Sequence, residues 1–220
     1  MFFIHYVISD IHGQYTKLME LLNKINFNNE DTLYVLGDMM DRGNENLKVY
    51  EELMRRKNVE IIMGNHETML LDYIKYNDRC WLRNGGDKTL FEIHNSDISF
   101  TELEVTLSEL PVTMNIEVDG QKYFLCHSNP FGYSDEEIVW ERIDMDMDYS
   151  SYVEDDTIYI TGHTPLPYIL GDKAEEKIYT SNDGNVWFID YGAAYLGQTI
   201  TSQYGGLGCV RLEDKKVFLV

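Results

Sequence analysis

The stretch Gly37-Asp38-Met39-Met40-Asp41-Arg42-Gly43 crowds two carboxylates and a guanidinium between two glycines. Such crowding is costly unless a cation takes the carboxylates and an anion takes the arginine. A divalent metal and a phosphate would satisfy both; an ordinary polar turn with a local Asp-Arg pair is the other reading of this stretch taken alone. The histidines bear on the choice. Four of the six sit in short polar loops: Asp10-Ile11-His12-Gly13, Gly64-Asn65-His66-Glu67, Cys126-His127-Ser128-Asn129 and Gly162-His163-Thr164-Pro165. With Asp10, Asp38 and Asn65 they make six or seven candidate ligands, too many for one ion with open positions and suited to two. Mixed oxygen and imidazole donors without thiolate suit Mn²⁺, iron or Zn²⁺ better than magnesium alone or a structural zinc. Cys126 adjoins His127 but points the other way by strand alternation, which assigns it to the core.

Each of these loops needs an element to aim it. Residues 2 to 8 read as a buried strand, and 14 to 25 place Tyr15, Leu18, Leu21, Leu22 and Ile25 at helical spacing. The strand, loop, helix order recurs at Leu33 to Leu36 with a helix over Asn46 to Lys57. It recurs again at Val59 to Ile62, with a helix from Thr68 toward Tyr76. Three such units imply parallel strands with crossover helices, so the polar loops share one edge of a sheet. Residues 77 to 110 read as helical and irregular, with a break at Gly85-Gly86 and an amphipathic stretch from Phe100 to Leu110. After Pro111 the pattern changes to strands: Val112 to Val118, an Asp119-Gly120 hairpin, Lys122 to Cys126, Thr157 to Ile160, Lys177 to Thr180, Val186 to Ile189, Gly208 to Leu212 and Val217 to Val220. The expected fold is α/β, a second sheet packed on the first with helices outside, in one domain over residues 1–220.

Composition narrows the partners. The 220 residues are 44% hydrophobic and 25% charged, enough for a full core, and the net charge is −20. No basic block stands out, which argues against nucleic acid or an acidic membrane surface as partner. An acidic chain that handles phosphate needs metal ions to reverse the local sign. Three widely spaced cysteines, Cys80, Cys126 and Cys209, indicate neither a disulfide framework nor a metal knuckle, and a cytoplasmic location is expected. No signal peptide is read at the start, and no apolar run approaches the roughly 20 residues of a membrane span. Asp144, Asp146, Asp148, Glu154, Asp155 and Asp156 alternate with Met and Tyr and read as a solvated loop, since the glycine of a compact calcium loop is missing.

Ser9-Asp10-Ile11-His12-Gly13, Gly37 to Gly43, Gly64-Asn65-His66-Glu67, His127 and Gly162-His163-Thr164, in that order, resemble the signature of the calcineurin-like metallophosphoesterases. The Asp-Arg-Gly ending of the second motif and the Gly-Asn-His-Glu of the third are similar to the phosphoprotein phosphatase branch. Asn84-Gly85-Gly86 followed by Thr89-Leu90, and Trp140-Glu141-Arg142, further resemble its bacterial members, both phage-type Ser/Thr phosphatases and symmetrical diadenosine tetraphosphate hydrolases. The resemblance implies a four-layer α/β/β/α sandwich and two divalent ions. Asp10, His12 and Asp38 would hold one, and Asp38, Asn65, His127 and His163 the other.

It further implies direct attack on phosphorus by a metal-bridging hydroxide, with no phosphoenzyme. Arg42 and Arg142 would bind the substrate phosphate, and His66 would be the general acid, oriented by Asp41. Two activities share these parts: hydrolysis of phosphate monoesters, foremost on phosphoserine and phosphothreonine in proteins or peptides, and cleavage of a dinucleoside tetraphosphate. A small phosphate ester would serve the first as well. A non-catalytic scaffold would be expected to lose ligands, Arg42 or His66, and none is lost. Three positions depart from the pattern. Ser9 stands for glycine, Met40 for a branched residue, and Ser128-Asn129 for small residues ending in glycine, where asparagine is expected to take up the left-handed turn. His5 and His94 match no motif and are read as structural or surface residues.

Overall fold

Alternation of buried side chains along the first strands decides how the layers stack. In a computed structural model describing residues 3–154, 156–197 and 203–220, strands β1 (His5–Ile8), β2 (Thr32–Val35) and β3 (Val59–Ile61) pair in parallel. Tyr6 and Ile8 face one side and Val7 the other, as period-two geometry requires. The first side receives Leu18, Leu21 and Leu22 of helix α1 (Tyr15–Lys24) and Leu47, Val49 and Leu53 of α2 (Asn46–Met54). Met69 and Leu70 of α3 (Asn65–Tyr76) join them. Each such leucine contributes about 1.5–3 kcal/mol on burial. Helix α3 begins three residues before the expected Thr68, so Asn65 and His66 lie in its first turn and inherit its rigidity.

The chain kinks at Asn84 and Gly85, where Gly85 takes φ 101°, before α4 (Asp87–His94), and α5 (Phe100–Ser108) follows with Ser99 capping its start. Strands β4 (Thr113–Val118) and β5 (Gln121–Cys126) form a hairpin whose turn, Asp119-Gly120, has positive φ at both positions, the geometry that suits the right-handed strand twist. A short helix α6 (Asp135–Trp140), strand β6 (Thr157–Thr161) and a second short helix α7 (Leu166–Leu170) follow. Strands β7 (Tyr179–Thr180) and β8 (Val186–Phe188) complete a sheet ordered β4-β5-β6-β8-β7.

The last two strands, β9 (Gly208–Arg211) and β10 (Lys216–Leu219), do not extend that second sheet. They return to β1 and give a first sheet ordered β10-β9-β1-β2-β3. Between the two sheets Val7, Tyr34, Leu36 and Val210 meet Leu125, Ile160 and Phe188 in a continuous core. The fold is therefore two five-stranded mixed sheets flanked by helices, as expected, with the C-terminal hairpin reassigned. Among the described residues no helix is long and apolar enough to cross a membrane. The acidic segment is a loop in which Asp144 and Asp148 cap the backbone N–H groups of Asp146 and Ser150. Phe2 of the first expected strand and Asp155 of the acidic segment lie outside the described residues.

Candidate active site

Loops leaving β1, β2, β3, β5 and β6 at their carboxyl ends converge and bind one another through the backbone. The Asp10, His12 and Gly13 N–H groups donate to Gly37, Asp38 and Met39 carbonyls at 3.3, 2.9 and 2.9 Å, and Gly162 N–H donates to His127 O at 2.8 Å. The backbone is bent hard to achieve this. Asp10, His12, Asp38, Asp41, Arg42 and His163 all have positive φ, between 49° and 73°. Non-glycine residues pay about 1–3 kcal/mol for such conformations and keep them where function requires it.

The loops bring together every metal-ligand candidate read from the sequence. Asp38 sits at the centre with its two oxygens divided: Oδ2 lies 3.5 Å from His12 Nε2 and Oδ1 lies 3.5 Å from His127 Nε2. Asp10 Oδ1 is 3.8 Å from His12 Nε2 on the first side. On the second side Asn65 Oδ1 is 2.9 Å from His127 Nε2 and 3.0 Å from His163 Nδ1, and the two imidazole nitrogens are 3.2 Å apart. The remaining ring nitrogens are committed outward, His12 Nδ1 to Met40 O at 3.2 Å and His127 Nδ1 to Leu36 O at 2.6 Å. Donating Nδ1–H leaves the Nε2 lone pairs aimed at the cluster.

These donors fit divalent cations and little else. His12, Asp38 and His66 form one group, and Asp38, His127 and His163 another, with ligand atoms within 4.8 Å of one another in each. Burial, aided by the Arg42 guanidinium, holds His12 well below the usual histidine range, and burial with the charges of His127 and Arg142 brings His163 down to about 2. Both are therefore neutral, the form a metal ligand must have. Burial, with the Asp10 carboxylate adding to it, pushes Asp38 up to about 8. A carboxylate so reluctant to ionise alone is stabilised by a cation, and the Nε2 lone pairs of His12 and His127 on its two sides are donors such a cation can use. A second pair of side chains stands beside the cluster. His66 Nδ1 meets Asp41 Oδ2 at 2.7 Å, while its Nε2 is buried, without a hydrogen-bond partner, 3.9 Å from Asp38 Oδ2.

Above the cluster a cleft of about 310 Å³ is lined by Asp38, His163, Arg42, Arg142, Tyr168 and Tyr195. Arg42 extends a guanidinium N–H to His12 Nε2 at 3.1 Å. Arg142 is exposed, just past α6, where Asn129 Nδ2 holds the neighbouring Glu141 carboxylate at 3.1 Å. Asn129 is not left-handed as expected; its side-chain oxygen instead accepts the Phe131 N–H at 2.9 Å and makes the turn that way. Cys126 is fully buried, as alternation required, and His5 and His94 lie elsewhere, against Glu213 and Phe100.

Four residues of the site were not singled out from the sequence. Glu67 accepts the N–H groups of Asp38, Met39 and Gly64 at 2.8, 3.0 and 3.0 Å, pinning the central loop to the start of α3. In return Asp38 Oδ1 accepts the His66 N–H at 3.0 Å and so caps the helix. Gly64 must be glycine, since a Cβ there would meet Asp38 Oδ1 and, at 2.6 Å, the Asp38 nitrogen. Asp190, two residues past β8, is buried with Oδ2 unpartnered; burial and the charge of Asp10 hold its carboxyl well above the usual range. Trp81 and Thr89 both donate to Asp41. The signals available in the sequence were a strand-end aspartate two residues before a glycine for Asp190, and positions inside quoted motifs for Glu67 and Thr89.

Comparison with known proteins agrees with this geometry. The family model described as calcineurin-like phosphoesterase matches residues 6–196. Serine/threonine-protein phosphatase 2 of Salmonella typhimurium is 32% identical over 144 residues, 64% of this chain and 64% of that protein. The symmetrical bis(5'-nucleosyl)-tetraphosphatase of Wigglesworthia glossinidia brevipalpis is 33% identical over 121 residues, 54% of this chain and 41% of that one. The alignments thus span less than two thirds of either relative. Among solved structures, a protein serine/threonine phosphatase from Saccharomyces cerevisiae superposes with TM-score 0.64 over 99% of this chain and 79% of that chain, at 14% identity, a likeness of fold.

Proposed function

This chain belongs to the calcineurin-like phosphoesterases and is a metal-dependent phosphoesterase hydrolase, and on that premise we propose that it removes phosphate from phosphoserine and phosphothreonine in proteins or peptides. The carrying observation is the cleft in which Arg42 and Arg142 border the ligand cluster. At about 310 Å³ it stands at the lower end of ligand pockets, a fit for one phosphoryl group and the side chain bearing it. The acidic segment that begins two residues past Arg142 repels a tetraphosphate more than a monoester. The alignment with the Salmonella phosphatase also extends further along that relative than the alignment with the tetraphosphatase does.

In this reading Asp10, His12 and Asp38 hold one divalent ion, and Asp38, Asn65, His127 and His163 the other; Mn²⁺ suits the donors, with iron or Zn²⁺ as alternatives. When bound, the ions lower the pKa of water toward neutrality and polarise the phosphoryl oxygens. Arg42 grips those oxygens with its planar fork, and Arg142, lining the same cleft, adds a second guanidinium. His66, as the imidazolium, gives its Nε2 proton to the serine or threonine oxygen as the P–O bond breaks, while Nδ1–H stays on Asp41 and keeps the ring aimed. The chain acts as one domain, and three free thiols suit a reducing cytoplasm.

One observation favours the second reading, a symmetrical dinucleoside tetraphosphatase: Tyr168 and Tyr195 line the cleft and offer faces on which a base could stack. A side-by-side assay with Mn²⁺ on a phosphoserine peptide, a phosphotyrosine peptide and diadenosine tetraphosphate separates the two. We expect the highest kcat/KM on the phosphoserine peptide. A higher value on diadenosine tetraphosphate would replace the first reading by the second.

A further inference from the structure

We propose that the segment Trp81 to Thr89 is a positioning device for proton donation: the indole of Trp81 and the hydroxyl of Thr89 fix the Asp41 carboxylate so that it holds His66 against the leaving group. The inference rests on His66 as the proton donor of the proposed reaction. Asp41 Oδ1 accepts from Thr89 Oγ1 at 2.5 Å, and Oδ2 accepts from Trp81 Nε1 at 2.8 Å and from His66 Nδ1 at 2.7 Å. All four side chains are almost completely buried, so no solvent competes for these bonds. With both oxygens committed, the carboxylate cannot swing. The imidazole it holds therefore has one ring orientation, with Nε2 on the cluster side.

The same segment clamps the backbone on which Asp41 rides. Asp41 and Arg42 have consecutive positive φ values, 73° and 66°, a conformation two non-glycine residues keep only under outside constraint. The constraint comes from Gly85 O, which accepts the Arg42 N–H at 3.1 Å, and from Lys88 Nζ, which donates to Arg42 O at 2.7 Å. Gly85, itself at φ 101°, lies so close that a Cβ would come within 2.8 Å of Arg42 Cγ. On its far side Trp81 packs against Tyr73 of α3, ring centroids 4.9 Å apart, which ties the indole to the helix carrying His66. A segment that merely filled the core would have no reason to spend its two buried polar donors on this one carboxylate.

The test is leaving-group dependence, because a poor leaving group needs the proton and a good one does not. Trp81→Phe, Thr89→Val and Thr89→Ser are compared with His66→Asn on phenyl phosphate and on 2,4-dinitrophenyl phosphate, using the Mn²⁺-loaded protein. We expect Trp81→Phe and Thr89→Val to lower kcat on phenyl phosphate by about 10- to 100-fold and on the dinitrophenyl ester by less than about 2-fold, with metal content unchanged. Thr89→Ser, which keeps the hydroxyl, should restore the phenyl phosphate rate. Equal losses on both substrates, or none on either, would overturn the inference while a leaving-group effect in His66→Asn left the proposed reaction standing. No such effect in His66→Asn would overturn both. Should Thr89→Val not fold, Trp81→Phe and Thr89→Ser decide the matter.

Discussion

Asp38→Asn is expected to empty both metal positions together and to lower turnover of p-nitrophenyl phosphate by about 10³- to 10⁴-fold, the equivalent of the several kcal/mol that metal ions supply to a developing charge. The expectation comes from how Asp38 divides its oxygens. Oδ2 and Oδ1 each stand 3.5 Å from a different imidazole, His12 Nε2 and His127 Nε2, so one carboxylate serves both halves of the cluster. Asparagine keeps the shape but loses the charge and one of the two oxygen donors. Misfolding is separable from this effect. Burial already pushes the Asp38 carboxyl up to about 8, so the metal-free wild type carries an ill-tolerated ionisable group that the variant lacks. The metal-free variant should therefore unfold at no lower temperature than the metal-free wild type near neutral pH. Metal analysis of the purified variant checks the rest, and one ion retained at full occupancy would count against a shared ligand.

His66→Asn should leave metal content near that of the wild type and cut turnover of a phosphoserine peptide by about 10²- to 10⁴-fold, the range for a lost proton donor. Its geometry sets it apart from its neighbour Asn65. Asn65 Oδ1 faces His127 and His163 on one side of the cluster, whereas His66 turns its ring toward Asp41 and leaves Nε2 buried without a partner. A buried nitrogen that no protein group satisfies awaits something from outside, and the leaving oxygen of a substrate is the candidate of the right chemistry. Unchanged turnover on the phosphoserine peptide would remove His66 from the reaction.

The residues legible in the sequence were those whose chemistry is local. Asp10 and His12, Asp38 and Arg42, and Asn65 and His66 each fall within one short motif after a strand, so residue type and spacing alone pointed to them. The structure places Asp41 Oδ2 2.7 Å from His66 Nδ1, a contact the spacing alone could not show. The bonds that Trp81 and Thr89 make were not legible, although Thr89 stands in a quoted motif, because nothing in their own neighbourhood calls for a carboxylate; Asp41 lies 40 and 48 residues away. Asp190 was missed for the same reason: no histidine accompanies it, and its place shows only in the fold, where the turn past β8 brings it within the influence of the Asp10 charge.

The fold divides similarly. Helices α1 to α3 and strands β1 to β3 follow from clear periodicity over ordered units. Helices α6 and α7, of six and five residues, are shorter than the span over which a helical period can be recognised. The alternation in Gly208–Arg211 identified a strand without saying which sheet would receive it; pairing of Val210 with Val7 across β9 and β1 decides that. Periodicity reports which face of a strand is buried, and partners in space are a separate matter.

The most direct measurement follows phosphate release from p-nitrophenyl phosphate while EDTA-stripped protein is titrated with Mn²⁺ at a protein concentration well above the dissociation constants. The account predicts no turnover in the stripped protein and a rise in activity that reaches its plateau only as the second equivalent is taken up. A plateau at one equivalent, or no hydrolysis at any loading, would contradict it.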